Sequence, residues 1–261
     1  MGIINTTPDS FSDGGSFLKA GDAVRHGLAM LAQGADILDV GGESTRPGAD
    51  KVAAQQELDR VIPVIESLVA ETDAPISIDT VKPEVMSAAV RAGASLINDV
   101  NGLRAPGAID VVASSGVPVC IMHMQGQPQT MQEQPQYEDV VSEVIAFFQT
   151  QIQACKQAGI KATDIIIDPG IGFGKSLEHN LSLLKAIPRL RSELDSELLI
   201  GVSRKSMFAK LLDRDVNKRL PASLGIAVQA VLNGAKIVRV HDVRETVDAI
   251  RSVEAVLGAA N

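Results

Sequence analysis

Residues 164–168 read Asp-Ile-Ile-Ile-Asp, a short run of β-branched apolar residues that ends in a carboxylate, Asp168. A run of this length and composition predicts a strand that is buried on both faces, as the strands of parallel sheets are. Similar short apolar runs occur along the rest of the chain, at residues 1–5, 37–41, 75–79, 95–99, 118–123, 198–203 and 236–241. The sequence therefore predicts eight buried strands.

The segments between these runs have the periodicity of amphipathic helices. Residues 22–33 place Val24, Leu28 and Leu31 three or four positions apart, and Gly34 follows as a stop signal. Further helices are predicted at residues 55–70, 138–158, 222–233 and 244–257 and from residue 82 onward. Strands and helices thus alternate along the chain.

This alternation predicts the fold class. Parallel strands need crossover connections, and helices supply them in an α/β protein. Closure of the eight strands gives a single (β/α)₈ TIM barrel over residues 1–261, with its active site at the C-terminal ends of the strands. An open, doubly wound sheet is the alternative, but no Gly-x-Gly-x-x-Gly turn follows the first strand. No Pro- or Gly-rich linker divides the chain, so one domain is expected.

The composition is that of an ordinary globular protein, with 45% hydrophobic and 21% charged residues. A formal net charge of −8 argues against binding to nucleic acid or to an anionic membrane surface. The chain shows no basic leader and no apolar stretch approaching about 18 residues, so a cytoplasmic protein is expected. Cys120 and Cys155 have neither disulfide nor metal-ligand spacing and are expected to be buried thiols.

Polar side chains end most of the predicted strands. These residues are Asn5, Asp79, Asn98, His123, Asp168, Ser203, Arg239 and His241. One such residue usually caps the following helix. In a parallel barrel, however, all strand ends meet at one rim, where the loops between strands and helices build the active site. So many hydrogen-bonding and charged groups at one rim predict a binding site there.

Two carboxylates and an amide suggest what this site recognises. Asp79 and Asp168 each end a buried strand, and Asn98 ends another in the same way. A carboxylate that accepts a pair of parallel N–H bonds recognises an amidine-like edge by geometry as well as by charge. Purines, pterins and guanidine-like ligands all present such an edge. A divalent-metal site is the alternative use of two aspartates.

Basic residues follow the last two strands, where this fold usually binds phosphate. Alternation along a strand places Arg239 and His241 on the same side, facing the barrel mouth. Arg46 lies in the glycine-rich segment 41–48, and these three side chains are predicted to hold a diphosphate. Lys205 could form a Schiff base with a carbonyl substrate or a hydrogen bond with the heterocycle. The second use is favoured, because a nucleophilic lysine usually needs burial.

Longer motifs make the comparison specific. Residues 1–15 (Met-Gly-Ile-Ile-Asn-Thr-Thr-Pro-Asp-Ser-Phe-Ser-Asp-Gly-Gly) and 41–48 (Gly-Gly-Glu-Ser-Thr-Arg-Pro-Gly) resemble two signatures of the dihydropteroate synthases. Other segments similar to this family lie at residues 78–80, 98–102, 122–126, 168–175, 203–206 and 239–242. They occur in family order and at family spacing over essentially the whole chain, which therefore resembles this family of pterin-binding TIM barrels.

The resemblance implies three groups of substrate-binding residues. The pterin would be held by Asp79, Asn98, Asp168 and Lys205. The diphosphate would be held by Asn5, Thr45, Arg46, Arg239 and His241, with Asn5 also contacting Mg²⁺. The p-aminobenzoate would lie near Pro47, Phe173, Ser203 and Lys205, under loops at residues 6–15 and 45–51. The catalytic residues would be Asn5, Arg46, Asp79, Lys205, Arg239 and His241.

By the same resemblance, the chain would be a homodimeric transferase of folate biosynthesis and a sulfonamide target. It would condense 6-hydroxymethyl-7,8-dihydropterin diphosphate with p-aminobenzoate, giving 7,8-dihydropteroate and diphosphate, with Mg²⁺ as the cofactor. A methyltransferase that acts on methyl-tetrahydrofolate with a corrinoid protein has a similar pterin pocket, but it binds no diphosphate. A non-catalytic folate-binding barrel would need neither Asn5 nor the diphosphate cluster. Both alternatives leave part of the motif set unexplained.

Overall fold

The computed structural model describes residues 1–6, 16–44, 48–127, 130–132 and 135–259, with the backbone alone described at 16–19. Each predicted run contains a strand. The strands are β1 (Gly2–Asn5), β2 (Leu38–Gly41), β3 (Ile76–Asp79), β4 (Leu96–Asp99), β5 (Val119–Met122), β6 (Ile165–Asp168), β7 (Glu197–Ile200) and β8 (Ile237–Val238). The strand prediction is thus confirmed, although every strand is one or more residues shorter than expected.

Helices alternate with the strands. They are α1 (Ser16–Ala32), α2 (Ala54–Glu71), α3 (Pro83–Arg91), α4 (Ala108–Ser115), α5 (Val140–Gln157), α6 (Leu177–Lys185), α7 (Ile187–Leu194), α8 (Met207–Leu212), α9 (Leu220–Leu232) and α10 (Val243–Leu257). Helices α4, α6 and α7 were not predicted, because stretches of eight or nine residues show too few periodic positions. No described helix is long and apolar enough to cross a membrane.

The sheet closes on itself. Strands pair in parallel in the order β1 to β8, each with its neighbour in sequence. The circle is completed by the backbone of residue Val240, whose N–H donates to Met1 O at 3.0 Å and whose carbonyl accepts from Ile3 N at 3.1 Å. The predicted (β/α)₈ barrel is confirmed, and the open-sheet alternative is wrong.

The core has an outer and an inner part. Most buried apolar side chains lie between the sheet and the surrounding helices, where Cys155 is found. A smaller cluster of Met1, Leu96, Cys120 and Leu199 lies apart from it. Both cysteines are buried free thiols, as predicted. Strand register places Cys120 level with Asn98 of the neighbouring strand, so the apolar interior gives way to polar side chains toward the carboxyl ends of the strands.

Candidate active site at the carboxyl rim

Three predicted pterin-binding residues lie where the sequence placed them. Asp79 and Asp168 are the last residues of β3 and β6, and Asn98 is the last residue of β4 that pairs with β3. Their exposed fractions are 8%, 8% and 3%. Asp79 and Asn98 are direct neighbours in register. Asp168 Oδ1 accepts a hydrogen bond from Gly170 N at 2.8 Å, which leaves Oδ2 as the oxygen that this carboxylate can offer a ligand.

A third carboxylate, Asp39, was missed by sequence reasoning. It lies within β2 and is fully buried, and its Oδ2 accepts from Asn98 Nδ2 at 3.1 Å. Its Oδ1 has no hydrogen-bond partner among the residues that the structure describes. Asp39 was overlooked because only strand ends were considered. The available signal was a charged residue inside an otherwise apolar run, between Leu38 and Val40.

Arg239 connects these carboxylates. Its Nε donates to Asp39 Oδ2 at 2.6 Å, and its Nη2 donates to Asp79 Oδ2 at 2.6 Å. The sequence grouped Arg239 with His241 for a diphosphate, but the partners of its guanidinium group are these carboxylates of the pterin pocket. His241 lies instead against Ser203, with Nδ1 3.0 Å from Oγ. Arg239 therefore stabilises the negative charge of the pocket floor.

Burial changes the acidity of the site. Burial raises the pKa of Asp79 to about 7, against the opposing effect of the Arg239 guanidinium group. Burial likewise raises the pKa of Asp168, and the hydrogen bond from Gly170 N opposes this rise. Desolvation lowers the pKa of Lys205 to about 8, while the nearby Asp168 charge acts in the other direction. The site thus holds charged groups that titrate close to neutral pH, as ligand-recognition and catalytic sites often do.

The turn after β7 presents Lys205 to the site. Arg204 adopts a left-handed backbone conformation, with φ of 58°, and its guanidinium group pairs with Asp242 on the exposed side. Lys205 is half-buried, and its Nζ lies 4.1 Å from the centroid of the Phe173 ring. Two predicted p-aminobenzoate residues are therefore in contact. This cation–π contact holds the ammonium group beside a candidate aromatic-binding surface.

The structure describes only some of the residues that are predicted to bind the diphosphate. Asn5 ends β1 in register with Gly41, and the following Thr6 N donates to Gly41 O at 2.9 Å. This places Asn5 at the rim beside the glycine-rich segment 41–48. Thr45, Arg46 and Pro47, like residues 7–15 of the first predicted loop, lie outside the described residues. Their roles stay predictions.

The glycine-rich segment is anchored on both sides of residues 45–47. The Glu43 carboxylate accepts from Val52 N at 3.0 Å and pairs with Lys82, which also pairs with the fully buried Glu57. Sequence reasoning missed this cluster, because its charges come from three separate elements. It holds Glu43 close to Val52, on the two sides of residues 45–47.

Comparison with known proteins agrees with this geometry. A family model described as pterin binding enzyme matches residues 1–241. The dihydropteroate synthase of Escherichia coli strain K12 is 52% identical over 259 residues, which cover 99% of this chain and 92% of that protein. The dihydropteroate synthase of Haemophilus influenzae is 47% identical over 259 residues, with coverage of 99% and 94%.

Solved structures show the same relationship. The Xanthomonas albilineans dihydropteroate synthase with 4-aminobenzoic acid has a TM-score of 0.93 and 51% identity, covering 99% of this chain and 93% of that chain. The Yersinia pestis enzyme with a sulfonamide drug complex has a TM-score of 0.93 and 48% identity, with coverage of 99% and 94%. A further Xanthomonas albilineans structure, in complex with 7,8-dihydropteroate, has a TM-score of 0.89 and 47% identity, with coverage of 99% and 93%. The chain therefore belongs to the pterin-binding enzymes and, within them, to the dihydropteroate synthase family.

Proposed function

We propose that the carboxyl rim of this barrel joins a dihydropterin diphosphate to p-aminobenzoate, and that Asp79, Asn98, Asp168 and Lys205 hold the pterin. The observation that carries this assignment is the convergence of two buried carboxylates and a buried amide on one end of the barrel. Similarity to structures that hold 4-aminobenzoic acid and 7,8-dihydropteroate supports the choice of substrates.

The hydrogen-bond pattern favours a ligand edge rich in N–H donors. The side-chain amide nitrogen of Asn98 donates a hydrogen bond to Asp39 Oδ2, so the side-chain carbonyl oxygen of Asn98 is the atom that it can offer a ligand. Asp168 offers Oδ2, because Oδ1 is used by Gly170 N. The pocket thus presents acceptors from β4 and β6, which lie on either side of β5, and a pterin ring can satisfy several of them with its own N–H groups.

The diphosphate is assigned to Asn5, Thr45, Arg46, Arg239 and His241, and Arg239 is proposed to act on the pterin pocket as well, through Asp39 and Asp79. Of these, His241 lies against Ser203 at the end of the barrel that carries the pocket. Asn5 supplies a side-chain oxygen at the rim, the kind of hard donor that Mg²⁺ accepts when substrate phosphates and water complete its coordination. Among the described residues no group of three His, Cys, Asp or Glu side chains could hold a metal by itself. Bound Mg²⁺ would offset the charge of the departing diphosphate.

The proposed reaction depends on stabilisation of charge by the protein more than on proton transfer. Loss of diphosphate leaves a positive charge on the methylene beside the pterin ring, and the buried carboxylates Asp79 and Asp168 face charge of that sign favourably. The amine of p-aminobenzoate is uncharged at neutral pH, so its nitrogen forms the new C–N bond with the methylene without a strong base. The nitrogen then loses one proton to solvent. Phe173, Ser203 and Lys205, with Pro47, are proposed to position it.

Product formation tests the proposal directly. Purified protein supplied with dihydropterin diphosphate, p-aminobenzoate and Mg²⁺ is expected to form dihydropteroate and to release one diphosphate per product. Omission of p-aminobenzoate serves as the control and should leave no dihydropteroate. Absence of dihydropteroate with all three components present would contradict the proposed function.

The order of binding is a second expectation. Residues 6–15 and 45–51 are rich in Gly, Ser and Pro and contain few apolar side chains, a composition that predicts loops which gain packing when a ligand binds. Residues 7–15 and 45–47 among them lie outside the described residues, so this stays a prediction. Binding of diphosphate would draw these segments together and so reduce the ordering cost of the next ligand. In calorimetric titrations, p-aminobenzoate should bind weakly to the free protein and tightly once Mg²⁺, diphosphate and a pterin analogue are present. Equal affinity in both titrations would mean that the second site is preformed.

A homodimer and a cytoplasmic location are also proposed from family similarity. Large apolar side chains are exposed on α8, α9 and α10, including Leu212, Leu232 and Val256, with exposed fractions of 46%, 54% and 75%. Exposed apolar surface of this kind is available for subunit contact. A single chain has a mass of 27.5 kDa, and light scattering during size-exclusion chromatography should give twice this value. The mass of a single chain would contradict the dimer.

A further inference from the structure

One buried charge lies just outside the site described above. Lys175 has an exposed fraction of only 2%, and its Nζ forms three close contacts. The nitrogen lies 2.9 Å from Phe173 O, 3.1 Å from His123 O and 3.0 Å from His123 Nδ1. Lysine is seldom fully buried unless its charge is compensated, so this placement calls for a physical reason.

The three contacts match the hydrogens of an ammonium group. Burial lowers the pKa of Lys175 to about 7, against the opposing effect of the Asp168 charge. Burial and the nearby Lys175 charge lower the pKa of His123 to about 3, so its ring is neutral and Nδ1 can accept. An ammonium group has three N–H donors and no acceptor. Each donor therefore meets one acceptor, two backbone carbonyls and one ring nitrogen, and a smaller or apolar side chain would leave buried carbonyl groups unsatisfied.

These acceptors belong to two loops in close contact. His123 follows β5, and residues 169–175 follow β6. Gly170 and Gly174 adopt left-handed conformations, with φ of 69° and 60°. A Cβ atom at Gly170 would lie 2.0 Å from His123 O, and one at Gly174 would lie 2.4 Å from Gln125 O. The two backbones thus approach each other as closely as glycine permits, and Lys175 bridges them from within.

Phe173 lies between this bridge and the substrate site. Its carbonyl oxygen accepts from Lys175 Nζ, and its ring contacts the Lys205 ammonium group at 4.1 Å. The neighbouring carbonyls of Gly172 and Gly174 accept from Gln132 Nε2 at 2.6 Å and from Tyr137 Oη at 2.9 Å. Side chains of the segment that follows β5 thus bind the carbonyl groups on either side of Phe173. Lys175 is the side chain that binds the Phe173 carbonyl group itself.

We propose that Lys175 is a positioning residue for the arylamine substrate: its buried ammonium group ties the Phe173 carbonyl to the end of β5 at His123 and so sets the place of the Phe173 ring. This inference rests on the proposed assignment of Phe173 to p-aminobenzoate. It assigns Lys175 no contact with either substrate. Its effect should therefore fall on one substrate and spare the other.

Kinetics with separate substrates test this division. Lys175→Met keeps a long, unbranched side chain but removes all three donors. It is expected to raise the KM for p-aminobenzoate by about tenfold or more, with the KM for the pterin diphosphate changed by less than about twofold. Lys175→Gln retains an amide donor and should fall between this variant and the wild type. Lys185→Met, at an exposed position on α6, is the matched control and should match the wild type in both constants.

Hydrogen exchange supplies a readout that does not require activity. Peptides covering residues 169–175 should exchange faster in Lys175→Met and Lys175→Gln than in Lys185→Met, because the bridge no longer holds the loop. If Lys175→Met does not fold, the same two measurements on Lys175→Gln decide the matter. Equal increases in both KM values, or unchanged exchange in this segment, would overturn the inference. A wild-type protein that forms no dihydropteroate would instead contradict the proposed function, and exchange would still test the bridge.

Discussion

Replacement of Asp168 by asparagine is expected to lower kcat/KM for the pterin substrate by about 30- to 1000-fold, equivalent to about 2–4 kcal/mol of transition-state stabilisation. Gly170 N donates to Asp168 Oδ1 at 2.8 Å, so this position needs an acceptor. An asparagine would keep its carbonyl oxygen on Gly170 N and turn its amide N–H₂ group toward the ligand. The amide N–H₂ group of the variant would then face an N–H donor of the pterin, where the wild-type carboxylate accepts a hydrogen bond. Steady-state kinetics and direct titration with a pterin analogue measure the loss.

A matched control separates this effect from a general loss of charge. Asp164 lies just before β6, at the opposite end of the same strand, so Asp164→Asn makes the same chemical change far from the rim. It should leave kcat/KM within about twofold of the wild type, as most surface substitutions have small effects. Near wild-type turnover and pterin affinity in Asp168→Asn would show that this carboxylate does not hold the pterin.

The sequence predicted where the strands that carry Asp79 and Asp168 end, because the end of the apolar run and the polar residue coincide there. In each, the apolar run, the paired strand and the polar end stop at the same residue. The last two strands were predicted too long for a related reason. Val202 and Val240 continue the apolar runs and are buried, with exposed fractions of 1% and 5%. Val202 lies beyond the paired part of β7, whereas Val240 lies beyond β8 and pairs only as an isolated bridge with Gly2 of β1. Burial marks the core, whereas pairing depends on neighbouring backbone that local sequence does not reveal.

The sequence predicted which residues form the site better than it predicted which of their side chains contact each other. Lys205 beside Phe173 was expected from the resemblance, and the structure shows them in contact. The pairing of Arg239 with Asp39 joins residues 200 positions apart, and no spacing rule reports such a contact. Lys175 was visible only as the end of a motif, because its meaning depends on carbonyl groups, which every residue carries. Long-range polar contacts are thus the part that needs coordinates.

Removal of the Arg239 side chain is expected to destabilise the protein by about 3–5 kcal/mol near pH 8, the usual range when one partner of a buried ion pair is lost. Arg239→Ala would leave Asp39 and Asp79 without their shared cation, and both carboxylates are buried. Denaturant unfolding followed by circular dichroism gives the free energy of unfolding. The same variant should weaken binding of a pterin fragment that lacks diphosphate, because Arg239 contacts the pocket carboxylate Asp79.

The loss should also depend on pH, and its sign follows from Asp79. Burial raises the pKa of this carboxyl from 3.8 to about 7, so its ionisation destabilises the folded state as pH rises between those values. Arg239 lowers that pKa and limits the destabilisation. Without Arg239 the pKa of Asp79 rises further, so the stability difference between wild type and variant should widen from pH 5 to pH 8. Arg244→Ala, at an exposed position on α10, should show neither the loss nor the pH dependence. A loss for Arg239→Ala that is the same at both pH values would mean that the arginine does not stabilise the ionised pocket.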